Sequence, residues 1–164
     1  MDITIRDATR RDSAACARIY NHYIANTTVT FEETPLSEES FAERLARISA
    51  RYPFLVAEAD GQVVGYAYLD AFNPRTAYRL TSDLSIYLDP NATAQGIGSQ
   101  LLLRIEAEAA RRGLRNVISL VTEENVGSVR FHERHGFARV GRLENVGLKF
   151  GRLLDVLFLQ KPLH

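Results

Sequence analysis

Asp83-Leu-Ser-Ile-Tyr-Leu-Asp-Pro-Asn-Ala-Thr-Ala-Gln-Gly-Ile-Gly-Ser99 is the stretch whose reading decides the fold. Residues 83–88 read as a strand that Asp89-Pro90 stops. Gly96-Ile97-Gly98-Ser99 then opens an amphipathic helix in which Leu101, Leu102, Ile105 and Ala109 share a face, with Gly113 just past its end. A strand, a Gly-x-Gly turn and a helix N-terminus together suit a phosphate: missing side chains allow close approach, and free N–H groups and the helix dipole face the anion. A tight strand-to-helix turn with no ligand has the same local pattern. Spacing removes two nucleotide-binding rivals. A P-loop needs a lysine after its last glycine, where Ser99 stands, and a dinucleotide fingerprint needs a third glycine, where Leu101 stands.

The flanking segments extend this unit in both directions. Ile3 to Asp7 alternates as a short strand, and Thr9 with Asp12 starts a helix carrying Ala15, Ile19, Tyr20 and Tyr23 on one face. Ser37 is an N-cap for a second helix with Phe41, Leu45 and Ile48 at helical spacing, closed by Pro53. Phe54–Ala59 and Val63–Asp70 are apolar strands joined through Asp60-Gly61, a dipeptide suited to a tight hairpin. Downstream, Val117–Val121 reads as a buried strand, followed by a polar turn at 122–125, a short helix to about Arg134 and a stop at Gly136. Phe137–Leu143 and Leu153–Gln160 close the chain as two strands around a loop holding Gly147 and Gly151. The order β-α-α-β-β-β-α-β-α-β-β predicts an α/β chain, a mixed sheet with helices on both faces, and the β-α-β unit from Asp83 to Val121 is expected to be parallel.

Bulk properties narrow the function. In 164 residues, 46% hydrophobic and 24% charged, no linker or repeat divides the chain, so one domain over 1–164 is expected. Twenty basic residues cancel twenty acidic ones, which gives no overall field for nucleic acid or an anionic membrane. Cys16 is the only cysteine, so no intramolecular disulfide can form, and a reducing cytoplasm fits best. The first residues lack the apolar core of a signal peptide, and no apolar run approaches the ~20 residues of a membrane span. No metal is expected, because no grouping of His, Asp and Glu has metal-ligand spacing.

Leu84 to Leu103, followed by Asn125-Val-Gly-Ser128-Val-Arg-Phe-His132-Glu-Arg-His-Gly136-Phe137, resembles the two signature blocks of the GNAT acetyltransferases in order and separation. The resemblance implies a mixed, mostly antiparallel sheet in which a strand splayed by a bulge pairs with the pantetheine arm of acetyl-CoA. By that resemblance Ile86, Tyr87 and Leu88 contact the arm, Ala94, Gln95, Gly96, Ile97, Gly98 and Ser99 wrap the pyrophosphate, and Asn125 and Ser128 contact the cofactor further along. Ile19-Tyr-Asn-His-Tyr-Ile24, Arg51-Tyr-Pro-Phe-Leu-Val-Ala57, Ala77-Tyr78 and Lys149-Phe-Gly-Arg152-x-x-Asp155 are similar to the phosphinothricin and methionine-sulfoximine N-acetyltransferases over nearly the whole chain. Four positions depart from that pattern: Thr93 opens the glycine loop, Ala94 stands where a glycine or arginine is common, Asp83 stands where glutamate is usual, and Leu153 replaces a usual tryptophan. A homodimer is the further expectation that the resemblance carries.

The implied chemistry assigns roles. A protonated α-amine must lose a proton before its nitrogen attacks a thioester, and Asp83 is the candidate base. The Leu88 N–H is the candidate donor to the carbonyl oxygen as it gains charge. His132 stands where many superfamily members carry the tyrosine that protonates the departing thiolate, a task imidazole can also perform; His22 and His135 have weaker claims. Arg75 is the candidate clamp for the acceptor's carboxylate or phosphinate, with Phe31, Phe72 and Tyr78 as walls and Asp83, Leu84 and Ser85 as floor. Lys149 and Arg152 either reach the pocket across a subunit boundary or are solvated. Three acceptor hypotheses stand: a small amino-acid analogue, another amine such as a protein N-terminus, polyamine or aminoglycoside, or no acceptor at all in a non-catalytic acyl-CoA sensor.

Overall fold

The computed structural model describes residues 2–92 and 96–164. Its strands are β1 (Ile3–Asp7), β2 (Phe54–Ala59), β3 (Gln62–Ala71), β4 (Thr81–Leu88), β5 (Asn116–Thr122), β6 (Ala138–Lys149) and β7 (Arg152–Pro162). The helices are α1 (Ser13–Asn26), α2 (Glu38–Ser49), α3 (Ile97–Arg111) and α4 (Val126–Arg134). All seven strands form one sheet in the order β1-β2-β3-β4-β5-β7-β6, antiparallel at every junction except β4–β5.

Period-two alternation in the central strands divides the core into two layers. Leu55, Ala57, Ala67, Leu69 and Leu84 face α3, whose Leu101, Leu102, Ile105 and Ala109 are fully enclosed. Phe54, Val56 and Tyr66 face the opposite way, onto Ile19, Tyr20 and Ile24 of α1 and Phe41, Leu45 and Ile48 of α2. Each such apolar side chain contributes about 1.5–3 kcal/mol when taken out of water. Local chemistry sets the helix ends: the Ser37 hydroxyl accepts from the Ser40 N–H at 3.0 Å, and Thr9 with Asp12 forms a capping box ahead of α1.

Two expectations need correction. β6 does not end near residue 143: it runs on through register shifts at Arg139/Gly141 and Leu143/Gly147 to Lys149, so Gly147 lies within the strand and the connecting turn is at Phe150-Gly151. The second shift takes up extra residues opposite β7, and this breaks the alternation by which a strand is recognised. The opening beside β4 also does not come from a bulge in its pairing with β3, which is unbroken from Ala71↔Ser82 to Gly65↔Leu88. It arises because β5 leaves β4.

Candidate active site

Parallel pairing of β4 with β5 covers only Thr81↔Asn116, Ser82↔Val117 and Asp83↔Ile118. Beyond Ile118, β5 continues to Thr122 against β7 alone, while β4 continues to Leu88 against β3 alone. Two strands that belong to one sheet therefore diverge like a fork, with Asp83 at its base. The Asp89 N–H donates to the Val64 carbonyl at 2.8 Å, which fixes the alternation along β4: residues 83, 85 and 87 form the hydrogen-bonded pairs with β3. The backbone groups of Ile86 and Leu88 then point the other way, into the fork. The Tyr23 hydroxyl donates to the Leu88 carbonyl from that side, which leaves the Leu88 N–H facing the opening.

Side chains line this fork as well. Asp83, Leu84, Ser85, Ile86, Tyr87, Ser119, Asn125, Ser128 and His132 all border one narrow cavity of about 110 Å³. The Asn125 Nδ2 is buried there with no hydrogen-bond partner among the described residues. A buried amide donor left unpaired costs about 1–3 kcal/mol, so a carbonyl entering the fork would relieve it. The Ile86 and Leu88 backbone and the Asn125 amide thus fit the amide-rich arm of an acyl-coenzyme. At the fork's far end Gly96 adopts φ +73° as N-cap of α3. Gly98 lets α3 approach α4: a Cβ there would stand 3.2 Å from the Phe131 ring. Ile97 is buried in the α3 layer and Ser99 lies in the helix's first turn. Ala94 and Gln95, with Thr93, lie outside the described residues.

Electrostatics distinguishes the two titratable groups of the fork. Burial, reinforced by Asp70 directly across the sheet, pushes the Asp83 carboxyl up from 3.8 to about 6. His132 is 2% exposed. Its Nδ1 contacts the Ser128 carbonyl at 2.7 Å; a carbonyl only accepts, so Nδ1 carries the proton. Nε2 then accepts from the Ser119 hydroxyl at 2.9 Å. Burial holds the imidazole below its ordinary value, only partly offset by the Ser128 bond, so the ring is neutral at pH 7 with its basic nitrogen toward Ser119. His22 and His135 line neither the fork nor the chamber beside it.

That chamber is a larger cavity of about 620 Å³ on the α1–α2 side of β4. Ser85, Tyr87, Val29 and Leu120 border both spaces. Its other walls are Tyr20, Thr30, Phe31, Glu32, Tyr68, Thr122, Leu143, Val146 and Val156. Arg44 pairs with Glu32 at 2.6 Å, and the Tyr20 hydroxyl donates to the same carboxylate at 2.6 Å. Burial alone would raise the Glu32 carboxyl, but these two hydrogen bonds outweigh it and hold the group below its ordinary value.

The candidate residues named from sequence do not all meet. Phe31 and Ser85 border the chamber, and Asp83 and Leu84 border the fork. Phe72, Arg75 and Tyr78 sit on the segment between β3 and β4, with Arg75 and Tyr78 exposed and the Phe72 and Tyr78 rings 5.8 Å apart, and they border neither space. Lys149 and Arg152 are engaged within their own chain. Lys149 is buried against the Thr27 and Thr30 carbonyls, and Arg152 pairs with Glu124 at 3.0 Å. Sequence reasoning missed Tyr20, Tyr68, Glu32, Ser119, Leu143, Val146 and Val156; Tyr20 was visible only as part of the apolar face of α1.

Comparison with known proteins agrees with this geometry. The GNAT acetyltransferase domain model matches residues 5–158. A phosphinothricin N-acetyltransferase of Alcaligenes faecalis is 39% identical over 163 residues, which cover 98% of this chain and 83% of that one. An L-methionine sulfoximine/L-methionine sulfone acetyltransferase of Salmonella typhimurium is 35% identical over 98% of this chain and 95% of its own. The crystal structure of a GNAT superfamily phosphinothricin acetyltransferase from Sinorhizobium meliloti, in complex with acetyl-CoA, superposes with a TM-score of 0.95 at 39% identity, covering 99% of this chain and 89% of that one. The forked sheet, the glycine-led helix beside it and these matches together establish that the chain belongs to the GNAT acetyltransferase family.

Proposed function

We propose that the chain, acting as a single GNAT domain, transfers the acetyl group of acetyl-CoA to the primary amine of a small amino-acid analogue of the phosphinothricin, methionine sulfoximine or methionine sulfone type. The observation that carries this reading is the joining of fork and chamber along one strand: Asp83 and Ile86 border the fork, while Ser85 and Tyr87 border both spaces. Acetyl-CoA supplies an activated thioester when bound. Asp83, with its carboxyl near 6, is ionised at pH 7–8 and takes a proton from the acceptor ammonium, directly or through water. The nitrogen lone pair then forms the new C–N bond, and the Leu88 N–H stabilises the charge gained by the carbonyl oxygen. As the C–S bond breaks, the electron pair leaves with sulfur. The neutral tautomer of His132 makes it a poorer acid than Asp83 is a base. The nitrogen sheds its second proton as the amide forms, and that proton reaches sulfur through water or through the Ser119–His132 pair, so that CoA leaves as the thiol.

A chamber of about 620 Å³ lies in the range of small-molecule sites. The 28–32 segment forms one of its walls. The names of the relatives supply the acceptor type. As the proposed clamp for the acceptor's anionic group, Arg75 would have to act from outside the chamber, because it, Phe72 and Tyr78 border neither space. A homodimer is part of the proposal, supported by a row of apolar side chains on the β6–β7 hairpin, Val140, Val146, Leu148 and Leu153, each more than half exposed. We place the enzyme in the cytoplasm, in detoxification of amino-acid analogues.

The test is release of CoA thiol on mixing the chain with acetyl-CoA and, in turn, L-phosphinothricin, L-methionine sulfone, spermidine and a short peptide. Turnover with the first two is expected. Preference for spermidine or the peptide would overturn the acceptor assignment, and no turnover with any amine would leave the sensor reading.

A further inference from the structure

Lys149 combines features that a surface lysine never shows. It is 2% exposed, and among the described residues no carboxylate lies within ion-pair distance of it. Its Nζ donates instead to two backbone carbonyls, Thr27 at 2.8 Å and Thr30 at 2.7 Å, from 122 and 119 residues away in the chain. A cation enclosed with no carboxylate in ion-pair contact is costly, and burial pulls its pKa below the ordinary lysine value, only partly opposed by the more distant charge of Glu33. The cost is offset by two charge-assisted hydrogen bonds to the same short segment.

That segment supplies Val29, Thr30, Phe31 and Glu32 to the acceptor chamber. Other contacts hold it from the same side of the sheet. The Thr122 hydroxyl donates to the Thr28 carbonyl at 2.6 Å, and Gly147 lies so close under Phe31 that a Cβ there would overlap the ring. Lys149 itself does not border the chamber. It sits at the end of β6, where extension of that strand past its second register shift has delivered it.

We infer that Lys149 is a positioning residue for acceptor binding: its ammonium ties the Thr27 and Thr30 carbonyls to β6 and so holds the chamber wall from Val29 to Glu32 in its binding shape. This inference rests on the proposed acceptor chamber, but the tie itself can be read without any acceptor. In Lys149→Met, which keeps the length and removes the donors, KM for L-methionine sulfone rises on the order of tenfold, while kcat and the affinity for acetyl-CoA stay within about twofold. Lys149→Arg, which keeps charge and donors, recovers part of the loss. A purely structural role would lower kcat, acetyl-CoA affinity and thermal stability together and would show no such split. If Lys149→Met does not accumulate as folded protein, Lys149→Gln, with one amide donor pair, carries the same comparison.

Amide hydrogen exchange of residues 28–32 is followed in the same variants. The inference requires faster exchange there in Lys149→Met, with β3 and α3 unchanged. Unaltered exchange at 28–32 overturns it, whether or not L-methionine sulfone is a substrate, and so does an unchanged acceptor KM where the wild-type chain turns that substrate over. Lack of turnover by the wild-type chain, with the exchange difference present, overturns the acceptor assignment and leaves the tie standing.

Discussion

The two walls of the proposed active site are built by opposite means. The cofactor wall follows the chain: β4, Gly96 and α3 come one after another, and what they present is mainly backbone, the Ile86 and Leu88 groups in the fork and the amides at the head of α3. The acceptor wall ignores chain order. It gathers Tyr20 from α1, the 28–32 segment, Tyr68 from β3, Leu120 from β5, Leu143 and Val146 from β6 and Val156 from β7, and what they present is side chains. A backbone device tolerates many side-chain changes, whereas a side-chain chamber can be reshaped one residue at a time. The lesson is that this chain's acyl donor is a property of its fold, and its acceptor a property of its packing.

The comparison can be broken most severely where the walls meet. Asp83→Asn removes the proposed base and should lower kcat by about 10²–10⁴ while acetyl-CoA affinity, which the account assigns to backbone, is preserved. In the wild type, kcat/KM should fall as pH drops below the carboxyl's value of about 6, and the variant's residual activity should lack that limb. A loss of acetyl-CoA binding in calorimetry would show that the walls are not separable at residue 83.

On the cofactor wall, Gly98→Val drives a branched side chain into Phe131. Overpacking of this kind costs about 1–3 kcal/mol, and acetyl-CoA affinity should fall by about 5- to 150-fold. Comparable loss with the acceptor alone, measured as its binding to the free protein, would contradict the division.

Stability gives the next effect. A carboxyl raised from 3.8 to about 6 on folding favours the folded state below pH 4 and loses that contribution as pH rises through 6, because the native state then holds a buried charge. Asp83→Asn should therefore unfold with about 1–3 kcal/mol more free energy than wild type at pH 7.5, and the gap should close at pH 4. Denaturant titrations at the two pH values read this directly. The smallest effect is expected from Asp70→Asn, which removes the charge facing Asp83. The acid limb of kcat/KM should move to lower pH, and a limb that stays put would leave burial as its whole cause.

The same contrast explains what was legible in the sequence. β1 to β5, the helices and the fork-forming strand are local patterns, and the Gly-x-Gly turn carries its own physical meaning, so this half of the molecule could be read residue by residue. The β6–β7 hairpin could not. Asn145 takes φ +53° where β6 changes register, and the Val-Gly-Leu-Lys run beyond it looks like a loop. Lys149 shows the same limit: a lysine beside a glycine turn reads as solvated, and nothing local reveals that the Thr27 and Thr30 carbonyls will meet it. Tyr20 was visible as a core residue from its place on the apolar face of α1, and its ring packs 5.0 Å from Tyr87, but its hydroxyl's place beside Glu32 depends on tertiary structure.

The central claim is that the strand leaving the fork grips acetyl-CoA through alternate backbone amides. Amide hydrogen exchange along β4, measured with and without saturating acetyl-CoA, tests it position by position. Protection should rise at Ile86 and Leu88, which face the opening, and stay unchanged at Ser85 and Tyr87, which are already bonded to β3. Binding of acetyl-CoA with no added protection at Ile86 and Leu88, or with equal protection at all four, would contradict the account.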